Sequence, residues 1–386
     1  MMLGFLLARA GIDVTVLEKH GDFLRDFRGD TIHPSTLQLM HELGLLGDFL
    51  KLPHDEITEL SAQVGPDVVT IADFRHLPTV CKFLALMPQW DFLDFIADRA
   101  RELPNFHLLL NTEATGLLEE GGQIAGVRTA DGAIRAKLTV AADGRHSVLR
   151  DAAKLTVTDF GAPMDVQWFR VSRLPSDPAQ TFGRAQPGRM MIMLNRGSYW
   201  QCAYLIAKGR DAVVRAAGIE HFRDDVRVIS PFLGDRLNEV EGWDKVKLLT
   251  VTVDRLERWH RPGFLAIGDA AHAMSPIGGV GINLAIQDAV AAANALAGPL
   301  RDGSLTEATL AAVQQLRMFP TRVTQAIQIA IQKQVIGAVL ASTRPLRAPW
   351  LLRALTAVPL FRRLPAYVVG VGVRPEHIGP ALRPRA

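Results

Sequence analysis

The chain has 386 residues, 48% apolar and 22% charged, enough for two domains around a large buried core. Its 43 basic and 40 acidic residues leave a net charge of +3, too small an excess to argue for nucleic acid. Only two cysteines occur, Cys81 and Cys202, far apart in apolar settings, which excludes a disulfide framework and any metal spacing. That usage predicts a cytoplasmic protein.

The opening stretch "MMLGFLLARAGIDVTVLEKH" places Leu3, Phe5, Leu6 and Leu7 at helical spacing, stops at Gly11, and alternates Ile12, Val14 and Val16 as a strand closed by Glu18. That is the second half of a βαβ dinucleotide-binding unit. In the complete unit a Gly-x-Gly-x-x-Gly loop precedes the helix, and an acid about 20 residues on holds a ribose hydroxyl. Here the last glycine would fall immediately before Met1. The sequence therefore predicts an incomplete unit, a genuine start further upstream and weak FAD binding by the chain as written. With no basic leader and a direct run into fold elements, the stretch is expected to be part of the fold rather than a signal peptide. No uninterrupted apolar run reaches the roughly 18 residues of a spanning helix.

An amphipathic helix follows, with Ser35 as expected N-cap and Leu37, Met40, Leu43 and Leu46 as its stripe. Short strand-like runs such as "VVTIADF" occupy 57–86. "PQWDFLDFIADRARELPNF" reads as a helix capped near Asp91, and residues 106–144 as a meander of strands with Gly turns. The last of these, "KLTVAADG", is apolar throughout and is expected at a sheet centre. From about 155 to 255 strands dominate, with "RMMIMLN" and "YWQCAYLIA" joined at Arg196-Gly197. Residues 304–340 are helical.

Two stretches carry chemistry. In 263–298 a buried strand, "FLAIG", ends on Asp269; a Gly-rich loop runs from Pro276 to Gly281; a long Ala-rich helix begins near Asn283. A carboxylate at a strand's end accepts hydrogen bonds from sugar or ribityl hydroxyls. Glycines let backbone N–H groups approach a ligand, and the helix N-terminus adds positive partial charge. The combination suits a cofactor that carries negative charge while it works. In "VAADGRHSVLRDAA" a second buried strand ends on Asp143-Gly144 before a helical turn bearing Ser147 and Arg150.

These blocks, in this order after the truncated βαβ unit, resemble the class A FAD-dependent monooxygenases, the p-hydroxybenzoate hydroxylase-like aromatic hydroxylases. The resemblance covers about residues 1–320. It implies an α/β fold: a Rossmann-like FAD-binding domain (1–60, 88–155 and 256–320, incomplete at its N-terminus), an interleaved β-sheet substrate domain (61–87 and 156–255), and a C-terminal helical segment (321–386). It also implies the site. Glu18 matches the acid on the adenosine ribose, Arg28 an arginine near the FAD phosphates, and Gln89 a glutamine that opens a helix against the cofactor. Asp143 matches the aspartate linked to FAD and the nicotinamide nucleotide, and Asp269 the ribityl- and phosphate-side acid. Gly281, Ile282 and Asn283 match the backbone that meets the flavin ring. Pro276 is the catalytic candidate, its carbonyl over the reacting edge. His272 reads as packing of the motif rather than as a base.

The reaction so implied is reduction of FAD by NAD(P)H, reaction with O2 to a flavin hydroperoxide, and hydroxyl transfer to a small hydrophobic, aromatic or polycyclic substrate. No second dinucleotide fold is visible, so NAD(P)H is a transient co-substrate. Met191, Met193, Trp200 and Tyr204 are candidate pocket walls, with plain sheet core as the alternative. A flavin-dependent halogenase is excluded because its Trp-x-Trp-x-Ile-Pro motif is absent. A flavoprotein reductase on an isoprenoid-type substrate and a non-catalytic remnant stay open.

The tail, 341–386, carries eight arginines and one glutamate among Trp350, Leu351, Leu352, Leu355, Leu360 and Phe361. Prolines at 345, 349, 359 and 365 keep its helices short. It suits packing on the FAD domain, a homodimer contact or peripheral attachment to a membrane.

Overall fold

A computed structural model describes residues 1–24, 31–178 and 180–383, without the side chains of Leu351 and Leu355. Helix Met2–Arg9 is buried along its whole length from Met2 to Ala8. A helix apolar on every side belongs inside, and this one packs on helices Gln89–Arg101 and Val280–Asp302. Gly4 serves a close approach, since a Cβ there would stand 2.6 Å from Val16 Cγ2. Strand Val14–Leu17 pairs in parallel with Phe106–Leu109. Parallel pairing needs a long crossover, and the intervening chain supplies it with helix Gln89–Arg101.

A second parallel pair joins Thr139–Ala141 to Phe264–Ala266, and His260–Arg261 adds an antiparallel flank to the latter. The strand expected at a sheet centre, Thr139–Ala141, is therefore at one edge of a three-stranded sheet. Its apolar character comes from covered faces: Ala141 lies in one core cluster with Leu6, Phe264, Ala292 and Ala293.

The largest sheet has seven strands in the order Lys247–Leu249, Met164–Ser172, Tyr199–Ala207, Arg189–Asn195, Phe182–Gln186, Glu59–Val64 and Asp67–Asp73. Two early strands thus join five late ones, through the parallel pair Phe182–Gln186 and Glu59–Val64. The expected hairpin forms about Arg196 and Gly197, whose φ of +71° suits glycine. Helix Ile219–Ile229 covers one face, where Phe222, Val226 and Ile229 meet Phe169, Met191 and Trp200. The α/β class read from the sequence holds.

Helix caps depart from expectation. Pro34–Glu42 is preceded by His33 at the cap position, and Ser35 sits inside the first turn, its Oγ donating to Asn283 Oδ1 at 2.9 Å. Pro34 at the first position explains the shift, because a missing N–H costs nothing there. Helix Gln89–Arg101 likewise begins after Pro88 with no side-chain cap, and Asp91 lies within its first turn. Burial pushes the Asp91 carboxyl above its usual range.

Asp177 fastens the sheet to the turns beyond it. It accepts from Arg236 Nη1 at 2.6 Å and Nη2 at 2.8 Å, from Trp200 Nε1 at 2.9 Å and from the Leu174 N–H at 3.1 Å. Burial alone would raise its pKa; these donors reverse that and hold it at about 2. A carboxylate with a depressed pKa stabilises the fold above its unfolded value of about 3.9 and loses that contribution as pH falls through the folded one. Asp177→Asn should cost about 2 kcal/mol at neutral pH. It should also flatten the fall in stability between about pH 4 and the folded value of about 2, measured by urea denaturation at several pH values.

Among the described residues one element is long and apolar enough to cross a bilayer, Ile277–Asp302, and 72% of its most apolar window is buried in the fold. It is the core helix that leads out of the glycine-rich loop.

Candidate FAD site

Asp269 follows the buried strand Phe264–Ala266 in a short turn, Gly268–Ala270. Gly268 has φ +59°, and its amide donates to Asp288 Oδ2 at 3.0 Å. Arg145 Nη2 donates to Asp269 Oδ2 at 3.3 Å, while the buried Arg145 Nη1 has no partner among the described residues. Across from Asp269 stands Gly281, where a Cβ would lie 3.9 Å from Asp269 Oδ1. Gly281 and Ile282 lie in the first turn of Val280–Asp302, whose cap residue Gly279 is left-handed (φ +64°) and which has no side-chain cap among the described residues. Its first amides therefore keep their hydrogen-bonding capacity. The structure thus brings together a carboxylate, an unpaired guanidinium nitrogen and an uncapped helix N-terminus.

Asn283 contributes differently from its neighbours. Its Oδ1 accepts from Ser35 Oγ at 2.9 Å and Thr36 Oγ1 at 2.8 Å, so its side chain ties helix Pro34–Glu42 to the loop. Asp143 accepts the Leu149 N–H at 3.3 Å, which fixes the turn that carries Arg145. Glu18 closes strand Val14–Leu17, its amide donating to Leu109 O and its Oε1 accepting the His20 N–H at 3.0 Å. Gln89 is the half-buried first residue of its helix. Glu18 and Gln89 stand on different elements from Asp269, and Arg28 lies outside the described residues.

Pro276 precedes the short turn Ile277–Gly279, and its carbonyl accepts the Gly279 N–H at 3.1 Å. His33 adds a brace: its Nδ1 lies 2.7 Å from Val369 O and its Nε2 3.0 Å from Gly279 O. Burial pushes the His33 pKa down against both carbonyls. His272 lies in the core behind the loop. It is buried against Trp259, and its Nε2 donates to Asp288 Oδ2 at 2.6 Å.

Sequence reasoning missed the clamp around Pro276. Gln325, Gln328 and Gln332 share one face of the helix from Glu307, at intervals of three and four residues. Gln328 Oε1 accepts the Ser275 N–H at 3.1 Å, and its Nε2 donates to Ser275 O and Ile277 O, each at 3.0 Å. Gln332 Nε2 donates to Ser275 Oγ at 2.6 Å, and Gln325 Nε2 to Asp254 O at 2.7 Å. A π-helical segment, Gln332–Ile336, begins at this contact, as such bulges often do at functional sites. Gln328→Ala would strand buried backbone groups and should cost about 1–3 kcal/mol. Faster amide exchange at Ser275, with exchange in the seven-stranded sheet unchanged, is the measurement that checks it.

Of the predicted pocket walls, Met191, Met193, Trp200 and Tyr204 lie in the core under helix Ile219–Ile229. Strands alternate faces, and the opposite face of the sheet is the one that meets Ile277. There Met190, Ile192, Trp168 and Leu205 pack with Ile277 and Ile336.

A family model described as an FAD binding domain matches residues 1–326. The chain belongs to that family. It is an FAD-dependent oxidoreductase, and its resemblance to the class A monooxygenases holds. A curated relative, 6-methylpretetramide 4-monooxygenase from Streptomyces rimosus, is 31% identical over 95% of this chain and 87% of its own length. Three further curated relatives are covered over 66%, 57% and 61% of their lengths. Among solved structures, anhydrotetracycline hydroxylase from Streptomyces rimosus superposes with a TM-score of 0.72 at 20% identity, over 98% of this chain and 75% of that one. A Diels-Alderase from pyrroindomycin biosynthesis reaches 0.74 at 20% identity, over 96% and 77%. Likeness at that identity shows the fold.

The residues present fit FAD. Arg145 Nη1 and the uncapped first turn offer donors to an anionic group, and Asp269 beside them offers an acceptor for hydroxyls. Gly278 and Gly279 take the left-handed backbone that leads into this helix, and a Cβ on Gly279 would stand 2.9 Å from Thr31 Oγ1.

Proposed function

We propose that this flavoprotein hydroxylates a hydrophobic aromatic or polycyclic substrate. In the overall reaction a substrate C–H, O2, NAD(P)H and a proton become C–OH, water and NAD(P)+. The observation that carries the reading is the loop from Pro276 to Gly281. One end of it leads into the helix N-terminus beside Asp269, and Ile277 packs on an apolar sheet face with Met190, Ile192 and Trp168. A single loop so joins the cofactor groups to a surface suited to an apolar substrate. The names of the relatives, a 6-methylpretetramide monooxygenase and an anhydrotetracycline hydroxylase, support that substrate class.

Bound FAD supplies the redox chemistry, taking electrons from NAD(P)H and activating O2. The chain's own residues bind, orient and polarise. Asp269 accepts from cofactor hydroxyls, and Arg145 Nη1 donates to an anionic oxygen beside it. Backbone amides of Gly281, Ile282 and Asn283, at the positive end of the Val280–Asp302 helix, offset negative charge on the ring without any titrating group. Glu18 would hold the adenosine ribose, Arg28 the phosphates, and Gln89 the cofactor from the head of its helix. Asp143 fixes the Arg145 turn on the side where NAD(P)H approaches. Pro276 keeps one carbonyl lone pair beyond the Gly279 N–H, and this pair orients the substrate.

The test is an oxygen electrode. FAD-loaded protein with NADPH or NADH should consume O2 several times faster when a polycyclic phenol of the anhydrotetracycline type is added. A rate indifferent to such phenols, with flavin bound, would count against hydroxylation.

A further inference from the structure

The C-terminal helices turn their large apolar residues outward. Helix Pro359–Gly370 docks through small residues: Ala366 and Gly370 are buried, and a Cβ on Gly370 would stand 2.8 Å from Leu77 Cδ1 and 3.2 Å from Phe74 Cδ1. Leu360, Leu364 and Tyr367, at helical spacing, share the other face with Phe361 beside them. Leu360 is 61% exposed and Leu364 70%, and Trp350 on the preceding helix is 78% exposed. Scattered apolar residues on a surface are ordinary, but a contiguous outward set marks an interaction site.

The charge around this face decides what it meets. Between Glu307 and Glu376 the sequence contains no Asp or Glu, while Arg344, Arg347, Arg353 and Arg363 lie exposed. Among the described residues, Asp67 on the sheet edge is the carboxylate that meets these arginines. It accepts the Ala348 N–H at 3.1 Å and stands 3.7 Å from Arg347 and 4.0 Å from Arg353. That contact pins the tail to the sheet and leaves the other arginines to an outside partner.

We propose that this face seats on an anionic lipid bilayer, with Trp350, Leu360, Phe361 and Leu364 entering the interface and the arginines meeting headgroups. A second copy of the chain answers the charge poorly, because face-to-face pairing would bring arginines together without carboxylates. The surface also lies close to the catalytic loop: Val369, on the same helix, contacts His33 through its carbonyl and approaches Gly278 through Cγ2. A substrate dissolved in the bilayer would leave it beside that loop. The attachment itself does not depend on the redox reading.

The experiment is flotation of the full-length protein, without added flavin, on vesicles of phosphatidylcholine alone and of phosphatidylcholine mixed with phosphatidylglycerol, at low and high salt. The protein should float with the anionic vesicles at low salt and stay behind with the neutral ones. Arg344→Gln with Arg363→Gln should weaken the partition about thirtyfold. Leu360→Ser, Phe361→Ser and Leu364→Ser together should abolish it, with an unchanged circular-dichroism melt. No flotation of the wild type, equal flotation on neutral vesicles, or an Arg variant that floats like the wild type would overturn the proposal. So would sedimentation showing a lipid-free dimer that the triple substitution dissolves.

Discussion

Asp269→Ala should leave the protein colourless after purification and weaken FAD binding about ten- to hundredfold for each hydrogen bond lost, since charge-assisted bonds contribute about 1.5–3 kcal/mol apiece. The geometry makes the loss specific. Asp269 stands between Arg145 Nη2, at 3.3 Å, and the backbone of Gly281 at the head of the long helix. Removing it takes away the acceptor and frees a guanidinium whose other terminal nitrogen has no partner among the described residues. Asp269→Asn keeps the size and one acceptor and should fall between. Flavin fluorescence titration reads both variants, and wild-type affinity in Asp269→Ala would remove that carboxylate from the site. Because Asp269 is partly exposed, the fold itself should survive the substitution with little change in its melting curve.

Asp288→Ala should act on the fold instead. Asp288 is fully buried, and its carboxylate is shared by His272 Nε2 at 2.6 Å, Arg317 Nε at 2.9 Å and the Gly268 amide at 3.0 Å. Arg317 also reaches Arg374 O and Glu376 in the tail, so one carboxylate ties strand end, core helix, following helix and C-terminus together. Taking one partner from a buried pair leaves an uncompensated charge and costs about 3–5 kcal/mol. Burial alone would raise the Asp288 pKa; His272 and Arg317 hold it below the usual range. The pair therefore stabilises the fold above the unfolded carboxylate value of about 3.9 and fails as pH drops through the lower folded one. Urea denaturation should show the loss at neutral pH and its shrinking in acid. Arg317→Met combined with Asp288→Ala should cost less than the sum of the single losses; full additivity would contradict the coupling.

The candidate site is legible where its chemistry is local in sequence. Asp269, Pro276 and Gly281–Asn283 fall within fifteen residues, and strand, glycines and helix each leave a mark on the residues around them. What the sequence hid is long-range. Gln328 fixes Ser275 across 53 residues, and a glutamine on a helix looks like a solvated residue until its partner is known. Met191 and Met193 suit a pocket wall or sheet core equally in sequence, because a strand shows which residues alternate, not which face is covered; helix Ile219–Ile229 takes that face and makes them core. Thr139–Ala141 looked central because covered faces and paired edges give the same apolar pattern. In the tail, arginines beside Leu and Phe suited both packing and attachment. The structure divides them, with Ala366 and Gly370 inward and Leu360 and Leu364 outward.

The shared fold of a hydroxylase and a Diels-Alderase shows that this scaffold alone does not fix the reaction. The measurement that separates them is isotope transfer. FAD-loaded protein, NAD(P)H and a polycyclic phenol are incubated under isotopically labelled dioxygen, and the product is weighed by mass spectrometry. Hydroxylation predicts one labelled oxygen atom in the product and the other in water. A product without label, or NAD(P)H consumed with hydrogen added to the substrate and no oxygen, would contradict the account.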